Sequence, residues 1–204
     1  MRKYLIGIGL AAIVALTAGC GGNDDAAKND AGHGGGKSTA AEAESGAEHN
    51  EQDMTFAQAM IPHHQQAVEM ADLAAKHATD PEVKDLATRI KGAQDPEIEK
   101  MNGMLDKWGG AMEDMPGMDH GDMDHGDMGG MPGMMTDDEM AKLEKASGAA
   151  FDTMWVEMMI KHHQGAVQMG KDEIAKGNNA DAKALAEQIV DAQEAEIKEM
   201  QAMR

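Results

Sequence analysis

A pair of adjacent histidines flanked by methionines occurs twice in this chain, as His63 and His64 between Met60 and Met70 and as His162 and His163 between Met159 and Met169. On a helix turning about 100° per residue, Met60, His64, Ala67, Val68, Ala71 and Ala74 share one half. His63 and Met70 lie at its edge, with Gln65, Glu69 and Asp72 opposite. Both imidazoles therefore face or border a core. One histidine on an apolar face is ordinarily a core residue with a satisfied ring. Four of them in two copies, each followed by a methionine six or seven residues on, point to metal ligands. Imidazole and thioether together suit copper, Cu(I) above all, with Ag(I) as a second candidate.

These residues belong to a larger repeat. Segments 56–105 and 155–204 align without gaps with 18 identities in 50 positions, pairing Gln94 with Gln193, Glu97 with Glu196 and Met101 with Met200. One structural unit has been used twice. In the first copy a helix is expected over about 53–76, with Asp53 as its N-cap and Pro62 bending it one residue before the histidines. Thr79-Asp80-Pro81-Glu82 then supplies a turn, a cap and a proline at the first helical position, and a second helix runs to about Trp108. Glu97 projects into the apolar face of that helix among Ile90, Ala93, Met101 and Met104, and Glu196 recurs among Ile189, Ala192, Met200 and Met203. An unpartnered carboxylate there costs several kcal/mol or is neutralised. Each Glu is therefore expected to meet the histidine pair of its own hairpin, either fixing an imidazole tautomer or binding metal directly; the bland alternative is that it reaches out to water.

In the second copy a helix opens at the Thr136-x-x-Glu139 capping box and runs to about Lys176, with Gly148 as a break or bend. Phe151 and Trp155 read as core. Gly177-Asn178-Asn179 is a turn, and a last helix covers about 180–203. Lys161 replaces Pro62 and Gly165 replaces Gln66, so this histidine helix should be straighter and the two sites need not be equivalent.

Between the copies, 109–135 holds eight Met and eight Gly in 27 residues, with a five-residue period through Met118, His120, Met123 and His125. Without helical or strand periodicity it is read as a flexible loop outside the core. Exposed thioethers oxidise readily, so Met115, Met118, His120, Met123, His125 and Met128 read as a metal-capturing set.

At the other end, Arg2 and Lys3 precede an apolar run from Tyr4 to Ala18 that is short for a membrane span and has the layout of a signal peptide. Thr17-Ala18-Gly19-Cys20 resembles a bacterial lipobox, which implies cleavage after 19, lipidation of Cys20 and membrane anchoring outside the cytoplasm, with 20–50 as a tether. His33 and His49 have no evident role there. A lone cysteine excludes an internal disulfide. Removing 1–19 takes Arg2 and Lys3 and no acidic residue, moving the net charge from −19 to −21. Such a chain repels nucleic acid and attracts cations.

Met60-Ile61-Pro62-His63-His64-Gln65-Gln66-Ala67-Val68-Glu69-Met70 and its echo at 159–169 resemble the signature of the DUF305 family over about 53–204. That resemblance implies a ferritin-like four-helix bundle of two tandem hairpins, 53–108 and 136–204, and places Met60, His63, His64, Met70, Met159, His162, His163 and Met169 in its motif. The family includes extracytoplasmic copper-binding proteins. The leading expectation is a non-catalytic lipoprotein that captures or buffers copper, with a copper exporter, an oxidase or no protein at all as recipient. A di-iron carboxylate enzyme needs Glu-x-x-His motifs, and the chain contains none. A purely structural or partner-binding bundle explains the repeat but gives the Met-rich run no purpose. Histidine sites are expected to release metal as pH falls towards 5, since free imidazole titrates near pH 6.5.

Overall fold

The computed structural model describes residues 48–110 and 131–204, and within them the chain is all-helical. Cys20, the leader at 1–19 and most of the tether lie outside the described residues, as do Met115, Met118, His120, Met123, His125 and Met128.

Helix α1 (Glu51–His77) is capped by Asn50 rather than by Asp53. The Asn50 side chain accepts from the Gln52 and Asp53 amides at 2.9 and 3.1 Å, and the Asn50 amide donates to Asp53 Oδ2 at 2.6 Å. Asp53 is the returning arm of a capping box, which satisfies amides at both ends of the first turn. The helix starts three residues earlier than expected, and the end of the tether is docked: His49 stacks on Trp108 with ring centroids 4.9 Å apart. Asn179 Nδ2 donates to the Glu48 carbonyl at 3.2 Å. Helix α1 continues through Pro62 without interruption.

Helix α2 (Pro81–Trp108) begins as expected, with the Asp80 side chain accepting from the Glu82 amide at 2.8 Å. It stops at Gly109, which takes the left-handed φ of 71° that glycine adopts without steric cost. The third expected helix is two helices. Thr136 and Glu139 form the capping box of α3 (Asp137–Lys145), the chain breaks at Ala146 and Ser147, and α4 (Gly148–Lys176) follows, with Gly148 at a φ of 62°. Helix α5 (Ala180–Ala202) is capped by Asn179, whose side chain accepts from the Asp181 and Ala182 amides.

Helices α1 and α2 form one hairpin, α4 and α5 the other, and the two meet chiefly where α1 faces α4. Trp155 of α4 is fully buried in that interface and donates its indole N–H to the Met70 carbonyl of α1 at 2.9 Å. The hairpins also clasp each other at both ends with the same device. Asp53 accepts from the Asn178 and Asn179 amides of the α4–α5 turn at 3.1 and 2.9 Å. Asp152 accepts from the Thr79 and Asp80 amides of the α1–α2 turn at 3.0 and 3.1 Å. Asp53 and Asp152 are equivalent positions of the repeat, so the molecule has a pseudo-twofold axis between α1 and α4. Glu173, buried beside Asp53, has no acidic counterpart in the first copy. Burial, then the adjacent Asp53 carboxylate, push Glu173 up to about 8. Burial also pushes Asp53 upward, but Glu173 and the amides of Asn50, Asn179 and Asn178 outweigh it and hold that carboxyl below its usual range.

Among the described residues no helix is long and apolar enough to cross a membrane.

Candidate metal centre

The repeated motif places its histidines on the inner faces of α1 and α4, and the inter-hairpin packing brings them together. His63, His64, His162 and His163 are each 0% exposed. The His63 and His162 rings, equivalent in the repeat, meet across the interface with centroids 3.8 Å apart and planes tilted by 38°. Residues that contact their own counterparts mark a twofold axis. His163 lies 6.4 Å from His162, ring centre to ring centre. Sequence reasoning gave each hairpin its own histidine site, and the fold instead makes one cluster at the pseudo-dyad.

The two carboxylates meet these rings as the register of each hairpin demands. Glu97 Oε2 accepts from His64 Nε2 at 2.8 Å, and Glu196 Oε2 accepts from His163 Nε2 at 2.8 Å. Their side chains keep 17% and 15% exposure, so each acid touches water with one part and braces an imidazole with the other. A carboxylate accepts only, so the proton sits on Nε2 and Nδ1 keeps its lone pair. His63 Nε2 donates to the Pro132 carbonyl at 3.1 Å, with the same result. His162 approaches the His63 backbone, yet neither of its nitrogens makes a well-formed hydrogen bond. Among the described residues five buried ring nitrogens therefore have no well-formed hydrogen bond: Nδ1 of His63, His64 and His163, and both nitrogens of His162.

The motif thioethers lie in the apolar clusters of the same bundle. Met60 and Met101 are buried with Phe56, Ile61 and Ala166, and Met169 packs half-buried against them. Met70, Met159 and Met200 are buried with Trp155 and Phe151. Every motif methionine on the described helices thus lies in the bundle interior or at its margin. Among the described residues no three His, Cys, Asp or Glu side chains are grouped to hold one ion. A mixed imidazole and thioether set favours a soft ion such as Cu(I) over Zn(II), which takes closed N, O or thiolate sets.

Burial sets the protonation of the central pair. It pushes His63 down to about 3, with the neighbouring His64 adding to the effect, and it holds His162 well below the usual range, helped by His63, His163 and His64. The expectation of metal release near pH 5 takes free imidazole as its reference, whereas burial favours the neutral, ligating form of both rings. Helical periodicity shows which face a histidine takes, but the depth of its burial depends on the opposing hairpin.

Two participants escaped sequence reasoning. Residues 131–135, assigned to a loop that could not be core, pack onto the bundle with Met134 and Met135 buried, and Gln66 binds Met135. The exchange of Gln66 for Gly165 between the copies was the available signal, and its meaning depends on where the linker crosses.

The fold and site define an all-helical bundle of two repeated hairpins, with four buried imidazoles where the hairpins meet and carboxylates bracing two of them. The chain belongs to the DUF305 family, described as a domain of unknown function, which matches residues 53–204. It is similar to a solved DUF305 protein of Streptomyces coelicolor, with 36% identity over 73% of this chain and 88% of that one and a TM-score of 0.62. It is also similar to CopM in its Cu(I)-bound form, with 30% identity over 74% of this chain and 94% of that one and a TM-score of 0.59. CopM is further known in Cu(II)-bound and Ag-bound forms. Uncharacterized protein L153 of Acanthamoeba polyphaga mimivirus is 40% identical over 55 residues, which make up 27% of this chain and 36% of that protein.

Proposed function

We propose that the protein is a non-catalytic copper-binding protein that captures or buffers Cu(I), and Ag(I) with it, outside the cytoplasmic membrane. The observation that carries this reading is the set of five imidazole nitrogens with no hydrogen-bond partner among the described residues, in a fully buried cluster. Leaving a buried polar group unpaired costs about 1–3 kcal/mol. A soft cation at the cluster would turn that deficit into ligation. CopM, a relative at 30% identity, supports the reading through its Cu(I)-bound form. Copper here is cargo, passed on to an exporter or an oxidase. The tether, anchored through a lipidated Cys20, holds the bundle at the membrane surface, and the acidic chain concentrates cations around it.

His64, His163 and His63 supply lone pairs whose direction is already set, Glu97 and Glu196 brace two of them, and the Met60/Met101 and Met159/Met200 thioethers complete the donor set. The Met/His run at 112–128 adds further, weaker equivalents in this reading. The test is an anaerobic Cu(I) titration against a competing chelator on three proteins. They are the intact chain, a chain with the Met and His residues of 112–128 changed to Ser, and a chain with His63, His64, His162 and His163 changed to Ala. The four-histidine variant is expected to lose the tightest class and the 112–128 variant to keep it. The reverse outcome would make the bundle a scaffold and the central run the site.

A further inference from the structure

The pseudo-twofold repeat is broken where residues 131–135 cross it, and that break falls on the histidine cluster. Residues 131–135 form a strap that touches both α1 and α4. On α1, Gln66 grips it with both ends of its amide: the Met135 N–H donates to Oε1 at 2.8 Å, and Nε2 donates to the Met135 carbonyl at 2.9 Å. On α4 the equivalent position is Gly165, and a Cβ there would run into the Pro132 carbonyl. Gly133 lies as close on the other side, since a Cβ on it would sit 2.7 Å from the Lys161 carbonyl oxygen. One helix holds the strap and the other clears a path for it.

The seated strap presents the Pro132 carbonyl to His63 Nε2 at 3.1 Å. A carbonyl can only accept, so it fixes the ring proton on Nε2 and leaves Nδ1 as the lone pair. Glu97 and Glu196 do the same for His64 and His163. His162 stands where His63 stands in the other copy, but among the described residues no second strap reaches it and neither of its nitrogens makes a well-formed hydrogen bond.

We infer that Gln66 and Gly165 are positioning residues for metal binding. They hold the strap so that the Pro132 carbonyl presets His63, and they leave His162 as the one imidazole in the cluster whose tautomer is set by the incoming ion. The consequence for affinity rests on the copper-binding reading above, whereas the consequence for the His63 tautomer does not.

The experiment is 15N NMR of the histidine rings in metal-free protein, which separates Nδ1–H from Nε2–H tautomers, combined with Cu(I) competition titrations. The wild-type chain should show His63, His64 and His163 as Nε2–H. Gln66→Ala and, by an independent route, Gly165→Ala should each release His63 into a tautomer mixture while His64 and His163 stay fixed. Both should weaken Cu(I) binding roughly tenfold or more, as losses of ligand-orienting partners do. Gln66→Glu keeps the acceptor for the Met135 amide, loses the donor to its carbonyl, and should fall between. The inference is overturned if His63 remains wholly Nε2–H in both alanine variants. It is equally overturned if His64 and His163 shift along with His63, since that is general loosening. A wild-type chain that binds no Cu(I), yet shows the His63-specific tautomer change, refutes the copper reading and upholds the strap's role in presetting His63.

Discussion

Changing His162 to Leu should make the metal-free protein more stable. His162 is 0% exposed and neither ring nitrogen has a partner, so the native state buries one unpaired donor and one unpaired acceptor. At about 1–3 kcal/mol each, these groups cost about 2–6 kcal/mol. Leucine removes both. Its different shape against the His63 ring, whose centroid is 3.8 Å away, takes back some of the gain. Misfits of this kind cost about 1–3 kcal/mol. At the middle of these ranges the net expectation is a gain of about 2 kcal/mol, or a rise in Tm of roughly 4–8 °C at the 2–4 °C per kcal/mol usual for a domain of this size. Urea and thermal unfolding followed by circular dichroism, in chelator-treated protein and again with Cu(I), give the comparison. Metal at a hundred times its Kd stabilises the wild-type chain by about 2.7 kcal/mol, and the variant should lose much of that, so the order of stability narrows or inverts on loading. His64→Leu is the contrast: it strips Glu97 of its imidazole partner and should destabilise the metal-free protein. If His162→Leu lowers metal-free stability by more than about 1 kcal/mol, the unpaired nitrogens are not a stored deficit and the reasoning fails.

Glu97→Gln should weaken Cu(I) binding about 10–100-fold with helix content unchanged, because an amide can offer its N–H and no longer compels the proton onto His64 Nε2; equal affinity in a competition titration would count against the brace. The histidine burial also sets a pH dependence. His63 is held near 3 in the folded state against about 6.5 unfolded, so its contribution to stability is complete above pH 6.5 and is lost as pH falls towards 3. Within that window the metal-free protein should lose about 1.4 kcal/mol per pH unit from this residue. Urea midpoints at pH 7, 5.5 and 4.5 should fall accordingly, and His63→Leu should flatten the trend; an unchanged slope would show that His63 does not titrate between the two states.

The sequence by itself determined the elements and their inner faces. Capping, turn chemistry and a 3.6-residue period are local, which is why the α1–α2 turn, the Thr136 box and the inward histidines were legible, and why repeating one hairpin made Glu97 and Glu196 legible as a matched pair. Local rules missed by a few residues where two solutions compete. Asn50 displaced Asp53 as the cap because Asp53 serves better as the returning arm of the box and as the acceptor for the far turn. Tertiary structure alone decided the site. The docking of α1 on α4 merged two histidine pairs into one cluster, and no periodicity within either helix encodes what lies opposite it. The same docking removed the water that would keep His63 near its ordinary pKa. The strap was hidden for a related reason: Pro132, Gly133, Gln66 and Gly165 are far apart in sequence and chemically unremarkable alone, and their meaning depends on a linker that crosses a twofold structure only once.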